Sequence, residues 1–90
     1  MNEEVLLNQL IELAEKLGIS VREENMEMEE LFSSGGLCRL ERKYILILNS
    51  RATLKEKNQV MIKALQQFDL TEIYLKPAIR ELLEGYQEET

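Results

Sequence analysis

The sequence predicts a small α+β domain: an antiparallel or mixed three-stranded sheet packed with three helices, in the order α-β-β-β-α-α. Three observations lead there. Apolar residues recur at helical spacing in three separate stretches, within residues 6–17, 61–68 and 79–86. The run Tyr44, Ile45, Leu46, Ile47, Leu48 has no polar position, which predicts a central strand covered on both faces. Thr53 and Glu56 then form a capping box, T-x-x-E, that opens a helix within a few residues of that strand.

Taken in order, Asn2 is a good N-cap, and Glu3 and Glu4 place carboxylates at the positive end of the first helix dipole. Leu6, Leu10, Leu13, Ala14 and Leu17 share one face, and Gly18 supplies the left-handed position after the helix, so it spans 3–17. Ile19, Val21 and Glu23 alternate with Ser20 and Arg22, a strand with one buried face whose direction the alternation leaves open. Residues 23–30 hold five glutamates. This stretch reads as a solvated connector with a helical turn around 28–32; the alternatives are a cation site or a docking surface for a basic partner. Mixed carboxylate spacing without a pinning glycine does not fit a calcium loop. Met26, Met28, Leu31 and Phe32 are placed to fold back over the sheet as a lid.

Ser33, Ser34, Gly35 and Gly36 read as a break in structure rather than a phosphate loop, since no helix and no GKS/T follows. Residues 37–40 and 44–48 then pair as a hairpin through Glu41, Arg42 and Lys43. The second helix starts at Leu54 with Met61, Leu65 and Phe68 as its buried stripe, and Asp69 ends the run. Ile73, Tyr74 and Leu75 form a very short strand or an extended link. Pro77 suits the first turn of a third helix with Ile79, Leu82, Leu83 and Tyr86 on its apolar face. Residues 1–86 make one domain and 87–90 a frayed tail.

Ninety residues bury roughly 60–65% of the surface that the unfolded chain exposes, so the single core is thin. The net charge of −6, with eleven basic residues against seventeen acidic, disfavours nucleic-acid binding; the densest basic cluster is Arg39, Arg42 and Lys43. The lone Cys38, beside Leu37 and Leu40, reads as a small core residue rather than a nucleophile, because the chain has no histidine to activate it. MNEEVLLNQL lacks a basic n-region and an apolar run, so it reads as helix rather than signal peptide, and no stretch reaches the ~18–20 apolar residues of a membrane span. A cytoplasmic protein with no membrane association is the expectation.

Without histidine, Ser-His-Asp and Cys-His catalysis are impossible and a catalytic zinc lacks its usual ligands. Carboxylates are plentiful but fall on exposed faces, where burial cannot raise their pKa. No cofactor, metal or catalytic residue is assigned. Among polar residues at element ends, Arg51 with Lys76 or Arg80 could form a small cationic pocket for a carboxylate, a phosphate or an acidic peptide.

A long first helix, a small sheet, an apolar strand ending in Asn49, a capped turn and a helix together resemble, in outline over 19–68, the minimal zinc metallopeptidases that cleave phage or stress repressors. Those enzymes carry HExxH on the helix that follows. Laid over this chain, the motif puts Lys63 and Gln67 where the histidines would stand and Ala64 where the glutamate base would stand. The resemblance therefore implies a relative without its metal, and no activity is carried over. A second resemblance covers 33–84: SGGLCRL together with FDL-x-x-IYL-x-P-x-IRE is similar to small bacterial proteins of no assigned function, and implies no biochemistry.

The function expected is a non-catalytic interaction or accessory module that binds a protein partner or a second copy of itself. The third helix, or the strand edges at 37–40 and 19–21, would be the contact. The alternative is a small-ligand binder or enzyme using carboxylates with Arg51, Tyr44 or Tyr74, with or without magnesium.

Overall fold

The computed structural model describes residues 2–25 and 34–85. Its elements are α1 (Glu3–Lys16), β1 (Ile19–Glu24), β2 (Gly35–Leu40), β3 (Lys43–Asn49), α2 (Leu54–Leu65) and α3 (Pro77–Gly85), an α+β fold in the predicted order. The methionine-containing lid, the helical turn at 28–32, Tyr86 and the tail at 87–90 lie outside the described residues. Of the five clustered glutamates, only Glu23 and Glu24 lie inside them.

The sheet is mixed, with strand order β1-β3-β2. β1 runs parallel to β3, with Ile19 opposite Tyr44 and Val21 opposite Leu46. β2 runs antiparallel to β3, with Leu37 opposite Leu46 and Cys38 opposite Ile45. The apolar strand is thus central, as expected. Its two faces differ: Leu46 and Leu48 are fully buried beneath the helices, whereas Ile45 and Ile47, on the other face, are half-buried.

Local chemistry fixes the helix starts. Asn2 Oδ1 accepts from the Val5 N–H at 2.7 Å and caps α1. At α2 the Thr53 hydroxyl accepts from the Glu56 N–H at 3.1 Å, and Glu56 Oε1 accepts from the Thr53 N–H at 2.9 Å, the two halves of the capping box. α1 and α2 pack against each other, and Asn58 Nδ2, in the first half of α2, donates to the Glu3 carbonyl at the start of α1 at 3.0 Å. α3 joins this pair: Ile79 and Leu83 enter the core with Leu10, Leu13 and Leu65, and Gln66 Nε2 donates to the Leu83 carbonyl at 2.7 Å.

Three expectations are corrected and one open alternative is decided. Gly35 and Gly36 belong to β2 instead of breaking the chain. Gly35 has φ 135 and lies so close to β3 that a Cβ there would collide with the Ile47 carbonyl oxygen. The hairpin turns on Glu41 and Arg42 alone, because Lys43 is already in β3; Glu41 takes φ 59 to close so short a loop. Residues 73–75 form no strand, so the extended link is the correct alternative. Cys38 is exposed, not core: it alternates with Leu37, and Leu37 takes the helix-covered side of the sheet.

Candidate functional site

Among the described residues, concave regions border the helices in at least three places. One, about 390 Å³, lies between the end of α2 and α3 and is lined by Gln66, Phe68, Leu70, Leu75, Arg80 and Leu83 among others. A second, about 240 Å³, lies between α1 and the start of α3. A shallow third, about 140 Å³, lies between β2 and α2.

The three cations singled out in the sequence do not share a site. Arg80 lines the first cleft and Lys76 the second. Arg51 lies just beyond the C-terminal end of β3, where its N–H donates to Asn49 Oδ1 at 3.0 Å. Lys76 borders the same cleft as Lys16, at the end of α1 that leads into β1. β1 runs parallel to β3, so the length of the sheet, about 20 Å for six or seven residues, separates that end from Arg51.

Lys63, Ala64 and Gln67, the positions laid over HExxH, do fall together. They line the shallow cleft with Val60 and the backbone of Gly35 and Gly36. The groups on offer there are an ammonium, a methyl and an amide, none of which is a usual zinc ligand. Among the described residues, no three carboxylate or thiol side chains converge to hold a metal ion.

The second cleft has the richest chemistry. Its floor is Leu13, Leu75 and Ile79, all buried. Its rim carries Glu12, Lys16, Lys76 and Tyr74, the last 77% exposed although it is a large ring. Gln9 enters from the α1 side, and its Oε1 is buried with no hydrogen-bond partner among the described residues. Lys16 and Lys76 take part in no ion pair among the described residues. An apolar floor with a few polar groups converging on it is the usual build of a small-molecule site.

The sequence reading missed Gln9, Glu12 and Lys16. Their spacing of three and seven puts them on one side of α1, flanking the apolar stripe, and that polar stripe was the available signal. The partner wall, from Tyr74 to Ile79, joins it only through the tertiary packing of α3.

Titration adds little to this picture. Asp69 is shifted, downward, because its carboxylate accepts first from the Thr71 N–H and then from the Thr71 hydroxyl, at 3.0 and 2.7 Å. It sits in the exposed turn after α2 and belongs to none of the three clefts. Among the described residues, no helix is long and apolar enough to cross a membrane. No protein-family model, curated protein or solved structure matches this chain.

Proposed function

We propose that this domain is a non-catalytic interaction module that contacts a protein partner, or a second copy of itself, through the β2 side of its sheet. One observation carries this reading: β2 is an edge strand with its backbone turned outward. The Asn49 N–H donates to the Ser34 carbonyl at 2.9 Å, which sets the ladder so that Gly36, Cys38 and Leu40 bond toward β3. Leu37 and Arg39 therefore direct their N–H and C=O groups to the outer edge. Such an edge is a template for another strand. Beside it, Leu40 is 63% exposed, Cys38 is exposed, and Ile45 and Ile47 continue the apolar strip across the face away from α1 and α2.

Sedimentation velocity across a micromolar concentration series tests the self-association version, with Arg39→Pro as the control. Proline at Arg39 removes an outward N–H and leaves the ladder to β3 intact. The expected result is a concentration-dependent rise in sedimentation coefficient that the variant abolishes. A strict monomer removes the second copy as partner. Turnover of a substrate by the purified protein, or a thermal shift with magnesium and nucleotides, overturns the non-catalytic reading itself.

A further inference from the structure

We infer that the cleft between α1 and the start of α3 binds an apolar amino-acid residue with a free carboxylate and an acylated nitrogen. Each part of that ligand answers a feature of the cleft. The floor of Leu13, Leu75 and Ile79 offers only hydrocarbon, and Tyr74 adds a ring at the rim with most of its surface uncovered. A volume of about 240 Å³ is below the usual range for drug-sized ligands, which suits one residue in the cleft, with any preceding chain lying outside it.

The polar groups select the rest. Lys16 and Lys76 set two ammonium groups against the single carboxylate of Glu12, leaving one net positive charge at the rim. That balance is met by one carboxylate, and a dianion would face Glu12 without a matching cation. The first turn of α3 begins next to Lys76; Pro77 has no N–H and the Arg80 N–H donates to the Lys76 carbonyl at 2.9 Å, so the Ala78 and Ile79 N–H groups carry the positive end of the helix dipole. The Gln9 Oε1 acceptor is buried with no hydrogen-bond partner among the described residues, which leaves its accepting capacity unused. An amide N–H is the donor that an acylated residue brings. This ligand has two natural sources, a free N-acyl amino acid and the C-terminus of a polypeptide chain. The inference goes beyond the interaction-module reading and does not depend on β2.

Four probes separate the elements of the claim: N-acetyl-L-leucine, N-acetyl-L-leucinamide, and a tetrapeptide Gly-Ser-Gly-Leu with its C-terminus free or amidated. Each is titrated to millimolar concentration into the isotope-labelled full chain while amide NMR shifts are followed. N-acetyl-L-leucine is expected to move the amides of Gln9, Leu13, Leu75 and Ile79, and leucinamide to bind at least fivefold more weakly. Lys76→Glu, at an exposed position, should weaken the acid at least fivefold and leave the amide unchanged. Gln9→Met keeps the bulk of the side chain, removes the acceptor and should weaken both. Tenfold tighter binding of the free-acid tetrapeptide than of N-acetyl-L-leucine identifies a chain terminus as the source, and equal binding identifies the free amino-acid derivative. Shifts confined to other surfaces, no shift at all, or equal binding of acid and amide overturns the inference. None of these outcomes depends on self-association, so the two readings fail separately.

Discussion

The ring of Tyr44 on β3 meets that of Phe68 edge-on, with centroids 5.0 Å apart and planes at 78°. Phe68 lies in the turn after α2, so this pair fastens the start of the central strand to the end of the helix. The Arg39 guanidinium carbon stands 5.6 Å from the Tyr44 centroid and adds a cation–π contact from β2. Edge-on aromatic pairs contribute about 0.5–1.5 kcal/mol beyond area burial. A double-mutant cycle with Tyr44→Leu and Phe68→Leu, read by urea denaturation, is therefore expected to give a coupling of about 1 kcal/mol. Strict additivity would mean that the rings only fill space.

Gly35→Ala should destabilise the fold by about 2 kcal/mol or more. Two causes add. The added methyl would strike the Ile47 carbonyl oxygen, and φ 135 is a conformation that alanine rarely adopts. Gly36→Ala is the control, since open space surrounds its missing Cβ. The denaturation midpoints of the two variants should differ clearly, and equal midpoints would place Gly35 away from β3.

Glu41→Gly should act in the opposite direction. Glu41 holds φ 59, a left-handed conformation that costs a non-glycine residue about 1 kcal/mol, and its side chain is exposed. Glycine relieves that cost and gives back part of the gain through the greater freedom of its unfolded chain. The net expectation is a stabilisation of about 0.5 kcal/mol, seen as a raised thermal midpoint.

The Asp69 turn should weaken only in acid. A carboxyl whose folded pKa lies below its unfolded one binds fewer protons when folded, so its contribution is complete above the ordinary Asp value of about 3.9. It is lost as pH falls through the lower folded value. In Thr71→Val the hydroxyl donor is gone while the Thr71 N–H, the larger cause, stays. An NMR titration should find the Asp69 midpoint raised part of the way to the ordinary value. A midpoint that does not move would assign the whole shift to the backbone.

What the sequence revealed of this fold was local. The caps at Asn2 and Thr53 were legible because each is closed by residues three positions apart. Proline at 77 and glycine at 18 marked boundaries for the same reason. Facing was harder. Leu37 and Cys38 are equally acceptable on either side of a strand, and only the register with β3, which sets Leu37 opposite Leu46, decides which one meets the helices. The direction of β1 was equally hidden, since alternation of Ile19, Val21 and Glu23 is the same in parallel and antiparallel pairing. The clefts were least legible. Lys16 and Lys76 are sixty positions apart, and nothing in either neighbourhood announces the other. Arg51, Lys76 and Arg80 looked alike in sequence as cations at element ends, yet Arg51 stays beyond the end of β3 while the packing of α3 sends Lys76 and Arg80 to different clefts.

The parallel pairing of β1 with β3 also sets an order of events during synthesis. A ribosome that has released this chain only as far as Leu40 has offered β1 no neighbour, because the strand it must join has not yet emerged. The hairpin of β2 and β3 closes over two residues, while β1 has to wait for a segment about twenty-five positions downstream. The leucine face of α1 waits longer still, because α2, the helix it packs against, emerges after β3, and over that interval a nascent copy is exposed to chaperones and to aggregation.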